Sequence, residues 1–105
     1  LPARLATCLD RALHRRAALL ADADTDVGRL FNGAADGIPG LVLERYGPGL
    51  VAQTVEGHLQ LAEADAREFA IACAARVGAA AVYHKVFPRD RSVARSRLDA
   101  LHTNA

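Results

Sequence analysis

The stretch NGAADGIPGLVLERYG, residues 32–47, holds four of the chain's eight glycines together with Pro39 and two apolar runs. It confines the possible folds more than any other segment. A glycine-rich loop cradles phosphate when its glycines follow a strand and open directly into a helix, whose N-terminal amides complete the site. Here Gly33, Gly37 and Gly40 run into LVLERY, and Gly47 and Gly49 run into LVAQTV. Strands follow the glycines, so the pattern argues against a nucleotide loop. ADGIPG reads instead as a reversal between strands. Asp36-Gly37 supplies permissive backbone angles and Pro39 restricts entry to the next strand, so Gly37, Pro39 and Gly40 are read as structural.

The rest of the chain alternates between two periodicities. Residues 2–21 place Leu5, Cys8, Leu9, Ala12, Leu13, Leu19 and Leu20 on one stripe of a helix, with Pro2 suited to its first turn. DADTDVG (22–28) stops that pattern. RLFNG (29–33), LVLERY (41–46) and LVAQTV (50–55) read as strands, the last two joined as an antiparallel hairpin by GPG. Helical spacing returns over 59–77, where Leu59, Ala62, Ala66, Phe69, Ala70, Cys73 and Val77 share a face and Glu63 and Arg67 form an i,i+4 pair. AAVYHKVF (80–87) is a fourth strand. The polar, arginine-rich remainder reads as a basic linker or frayed tail over 89–105, leaving one domain over 1–88. The order α-β-β-β-α-β predicts an α+β fold, a mixed and mostly antiparallel four-stranded sheet packed by two helices.

At 105 residues the chain has room for one core and not for a separate catalytic unit. No apolar run approaches the roughly 20 residues that span a bilayer, no signal-peptide core is present, and two cysteines far apart fit a cytoplasmic setting with reduced thiols. The absence of methionine, even at position 1, points to an excised piece of a longer protein. Net charge is only +1, but arginines cluster at 4, 11, 15 and 16 and again at 89, 91, 95 and 97. Such patches permit RNA contact without requiring it. Arg4, Arg11 and Arg15 line one edge of the first helix, as an RNA-facing edge or a solvated one. Arg16 falls inside the apolar stripe. Either its stem packs on the core while its head reaches water, or it pairs with a carboxylate such as Asp36; unpaired burial would cost several kcal/mol.

No catalytic set is visible. Cys8 and Cys73 lie on apolar helix faces, where thiols are usually packing. His14, His58, His84 and His102 have no nucleophile or carboxylate placed beside them by sequence. Asp22, Asp24 and Asp26 lack the glycine and later glutamate of a calcium loop. No catalytic, cofactor-binding or metal-ligating residue is therefore assigned. Tyr83 and Lys85, followed by Arg89 and Arg91, could lay an aromatic and cations along an RNA strand; they could equally be core-edge packing and a soluble linker.

Taken together, RAL..R, RLFNGAADGIPGLVLERYG..LVAQ, a helix and VYHK resemble the central domain of YccW-like bacterial 23S rRNA cytosine-5 methyltransferases. The resemblance covers residues 4–87 and is most specific at Arg29, Leu30, Asn32, Gly33, Asp36, Gly37, Pro39, Gly40, Leu41, Arg45, Tyr46 and Gly47. In that family an N-terminal PUA domain precedes this α+β domain and a Rossmann-like methyltransferase domain follows it. The resemblance implies a noncatalytic domain that positions rRNA or packs on the C-terminal methyltransferase domain. The family's S-adenosylmethionine site and catalytic cysteine belong to that missing domain, so no cofactor is expected in this chain. Under this reading Arg11, Arg15, Lys85, Arg89 and Arg91 are the phosphate-facing candidates. The alternative is a scaffold or homodimerisation module that touches no RNA.

Overall fold

The computed structural model describes residues 1–90 and 96–103. The first helix, α1 (Ala3–Arg15), buries Leu5, Leu9, Ala12 and Leu13, the stripe that the spacing predicts. It does not run on to residue 21. At Arg16 the backbone leaves helical geometry (φ −105°, ψ 18°) and a separate turn of helix, α2 (Ala17–Ala21), follows. The Arg16 side chain takes part in the break. Its Nη1 donates to the Ala12 carbonyl at 3.0 Å, the acceptor its own N–H would use in a continuous helix. The N–H shifts to the Leu13 carbonyl instead.

Strand β1 (Val27–Asn32) leads through a 3₁₀ turn, Gly33–Asp36, into β2 (Leu41–Tyr46), which pairs with it antiparallel. Gly37 (φ 101°) and Gly40 (φ 87°) lie in the left-handed region within this reversal. Gly40 has no room for a side chain, because a Cβ there would stand 2.5 Å from the His58 carbonyl oxygen and 2.6 Å from Leu59 Cα. β3 (Gly49–Val55) pairs antiparallel with β2, completing the expected hairpin. Helix α3 (Glu63–Val77) then carries the chain over to β4 (Ala81–Phe87), parallel to β3. β3, α3 and β4 form one parallel crossover unit inside an otherwise antiparallel sheet.

The expectation of four strands and two helices is corrected here. Residues Arg97–Thr103, which the sequence pattern assigns to a linker or tail, form a fifth strand, β5, antiparallel to β4 at the sheet edge. The sheet order is β1-β2-β3-β4-β5, and among the described residues the helices number three with α2. The pattern hides β5 because its charges are neutralised from α3, about 30 residues away in sequence. Arg97 donates to Glu63 at 2.8 Å, and Arg67 donates to Asp99 at 2.8 Å. A local pattern of Arg-Leu-Asp shows polarity without its compensation.

Strict alternation divides the sheet faces. Leu41, Leu43, Leu50, Ala52, Thr54, Val82, His84 and Val86 point to the helices. Phe31 and Phe69 meet edge-to-face in this core, with centroids 4.9 Å apart. The opposite face carries half-buried Val51, Gln53 and Val55 beside Tyr83, Lys85 and Phe87. Among the described residues, no helix is long and apolar enough to cross a membrane.

Candidate nucleic-acid interface

The site is assembled around a buried ion pair. Asp36, at the end of the 3₁₀ turn, has a side chain only 2% exposed. Arg16 reaches it with both terminal nitrogens, at 2.7 Å and 3.2 Å, and donates Nε to the Arg29 carbonyl at 3.0 Å. The Asn32 N–H donates to the same carboxylate at 2.7 Å. Arg15 adds a longer contact to Asp36, at 3.3 Å, and remains 53% exposed. Burial by itself would raise the Asp36 carboxyl. The Arg16 and Asn32 hydrogen bonds, with the charges of Arg16 and Arg15, outweigh it and hold the group below its usual value of 3.8. This cluster fixes the C-terminal half of α1 against the β1–β2 reversal. It thereby sets the direction in which the arginine edge faces.

Arg11, His14 and Arg15 are exposed along that edge. They line a shallow surface hollow with Asp10. It joins, through Asp10 and His14, a groove of about 570 Å³ between the three helices and the end of β2. The groove is lined by the apolar side chains of Leu13, Leu20 and Val77 together with His14 and the cations Arg45 and Arg76. Among the described residues one carboxylate lines it, Asp10, and that group is already paired with Arg76. Arg45 donates Nε to the Gly47 carbonyl at 3.0 Å.

The residues singled out in the sequence do not form one patch. Arg11 and Arg15 sit together at the groove's rim. Lys85 projects from the sheet face away from the helices, its ammonium 5.1 Å from the Phe87 ring centroid. Arg89 lies just beyond β4 with its guanidinium over Gly57. Arg91 lies outside the described residues. Pro39 accepts a hydrogen bond from Gln60 N–H at 3.0 Å, tying the β1–β2 reversal to the segment before α3.

Sequence reasoning passed over Arg45 and Arg76. A signal for Arg45 was present: it is in phase with Leu41 and Leu43, hence inward-facing, where an arginine is anomalous. Arg76 lies in the last turn of α3 and gave no such signal, since only the packing of α3 beside α1 brings it to Asp10.

Other titratable groups belong to the scaffold. Burial pushes the Cys73 thiol up to about 12, which leaves it protonated and unreactive. His84 is fully buried, and its Nδ1 accepts from Arg67 Nε at 3.3 Å. Nε2 therefore carries the proton and donates to Thr54 Oγ1 at 2.8 Å. Burial first, and then the Arg67 charge, hold the ring below its usual 6.5. Among the described residues, no three His, Cys, Asp or Glu side chains are grouped so as to hold a metal ion.

Known proteins of similar sequence and fold point in one direction. A ribosomal RNA large subunit methyltransferase of Deinococcus radiodurans is 55% identical over 47 residues, which is 41% of this chain and 12% of that protein. A solved protein designated a methyltransferase, complexed with SAH, superposes over 97% of this chain and 24% of its own, with TM-score 0.70 and 16% identity. A protein of Streptococcus mutans designated a SAM-dependent methyltransferase matches similarly, with TM-score 0.69 and 16% identity over 97% of this chain and 25% of its own. No family model matches. The chain spans about a quarter or less of the length of each of these proteins. Over 47 residues it is similar to a ribosomal RNA large subunit methyltransferase, and its fold recurs inside solved proteins designated as methyltransferases.

Proposed function

We propose that this chain is a noncatalytic domain of an S-adenosylmethionine-dependent RNA methyltransferase whose target is a cytosine C5 of 23S rRNA. In this reading it positions RNA for a catalytic domain that holds the cofactor. The observation that carries it is the cationic surface of α1, where Arg11, His14 and Arg15 line a hollow that adjoins, through Asp10 and His14, a groove lined by Arg45 and Arg76 and, among the described residues, by a single carboxylate, Asp10. Guanidinium groups held at fixed spacing suit phosphate oxygens, and fixed spacing is what the Arg16–Asp36 pair provides.

The test is binding of a 23S rRNA fragment to the 105-residue chain across a salt series. Arg11→Ala combined with Arg15→Ala should lower affinity roughly tenfold and flatten the log–log salt slope by about 1 for each phosphate no longer neutralised. Lys85→Ala and Arg89→Ala, away from the groove, should change it less. Undetectable binding at low salt, or an unchanged slope in the double variant, would overturn the reading.

A second reading is favoured by the helix-free sheet face, where Leu98, 60% exposed, lies opposite Lys85 in the β4–β5 register. Packing of that face on the methyltransferase domain or on a second copy would bury it without RNA. Small-angle scattering that shows a concentration-independent monomer rejects the second-copy version.

A further inference from the structure

The groove between the helices has two chemically different kinds of lining, and neither is explained by a general affinity for phosphate. Arg45 is half-buried beneath α2, with Nε anchored to its own turn. Among the described residues no carboxylate lies within ion-pair distance of its terminal nitrogens. Asp26 borders an adjoining small hollow with it but stays beyond that distance, and Asp10 is committed to Arg76. The same groove is also lined by the apolar side chains of Leu13, Leu20 and Val77. A simple anion would leave the apolar lining in water, and a purely apolar ligand would desolvate Arg45 without a partner. A ligand with an anionic end and a body whose faces can lie on aliphatic side chains satisfies both kinds of lining.

We infer that the groove seats one unpaired nucleotide, with its phosphate on Arg45, the Asp10-paired Arg76 and His14 at the rim, and its base against Leu13, Leu20 and Val77. The inference rests on the RNA-positioning reading above for the source of that nucleotide, and it adds what the groove recognises. The volume, about 570 Å³, lies within the usual range of roughly 300–1,000 Å³ for small-ligand sites. Forked guanidinium groups match phosphate oxygens, and a base freed from a duplex can lay its face on side chains that a stacked base cannot reach. Arg11 and Arg15 at the rim would then meet the flanking phosphates.

The experiment is an amide NMR titration of the 105-residue chain with CMP and AMP, and separately with ribose 5-phosphate and inorganic phosphate. The nucleotides should shift the amides of Leu13, His14, Leu20 and Val77 saturably, with Kd on the order of 1 mM. Inorganic phosphate should leave Leu13 and Leu20 unmoved. Arg45→Gln should weaken CMP binding about tenfold, whereas Glu68→Gln on the exposed face of α3 should not. Should Arg45→Gln fail to fold by its thermal melt, Arg76→Gln on the protein surface serves in its place. The inference is overturned by the absence of saturable shifts at those amides, by identical shifts from phosphate and CMP, or by undiminished CMP binding in the folded variant. RNA binding without nucleotide binding would sink this inference and leave the RNA-positioning reading standing. CMP binding without binding of the rRNA fragment would keep the groove as a nucleotide site and remove RNA as its source.

Discussion

Arg16 occupies the position where a helix, a turn and a strand meet, and its guanidinium serves all three. It donates to the Ala12 carbonyl, the Arg29 carbonyl and the Asp36 carboxylate at once. A pair with side chains 19% and 2% exposed differs in kind from the surface pair Arg76–Asp10, at 50% and 64%. Exposed pairs contribute about 0–1 kcal/mol, whereas removing one member of a buried pair strands the other. Arg16→Ala is therefore expected to lower unfolding free energy by about 3 kcal/mol in urea titration; a decrease near that of Arg76→Ala would refute this. The glycines of the reversal allow a finer comparison. Gly37→Ala meets only the Cys8 sulfur, at 3.1 Å, and should cost about 1–2 kcal/mol through its positive φ. Gly40→Ala adds a backbone collision, so its melting temperature should fall further than that of Gly37→Ala.

Among the elements, β5 is held less by apolar burial than by a charge lattice. Glu63 and Arg67 on α3 grip Arg97 and Asp99, and Arg67 also donates to His84 beneath them. Replacing Arg67 with Met should raise amide hydrogen exchange across residues 97–101 and leave β2 and β3 protected. Equal exchange in β5 and β3 would contradict that view. His84 gives this region a pH dependence of known sign. Its folded value lies below 6.5, so above that pH both folded and unfolded rings are neutral and the stability is intact. As pH falls below 6.5 the unfolded chain takes up the proton first, and stability declines until the folded value is reached. Arg67 and Arg97 oppose protonation, while Glu63 and Asp99 favour it and moderate the effect. In an NMR titration the His84 ring should begin to titrate below the pH at which an exposed histidine does so; titration at 6.5 or above would refute the assignment.

For the molecule as a whole, the layer arrangement separates two kinds of surface. The helical side gathers cations around a groove, and the opposite sheet face presents half-buried Val51, Val55, Tyr83 and Phe87. An RNA contact confined to the helical side predicts that charge changes there govern salt dependence, with substitutions on the sheet face altering it by less than one phosphate equivalent. Binding measured for Arg11→Ala, Arg45→Gln and Lys85→Ala at matched salt checks that division.

The local grammar of this protein is written in its sequence. Helical and strand periodicities, the GPG hairpin and the glycines of the reversal are each set by residues within a few positions of one another, and they place the elements. The helix expected over 2–21 nevertheless breaks at Arg16, and the one expected over 59–77 begins only at Glu63. The Arg16 anomaly was also legible, because a cation inside an apolar stripe demands a partner. Every feature whose cause is distant in the chain waited on the packing of the elements. β5 is tied to α3 by charge pairs, Arg16 at the break of α1 is paired with Asp36, and Arg45 and Arg76 share a groove lined by all three helices. Long-range charge compensation leaves no trace in a local pattern, so these parts could only be read once the chain had folded.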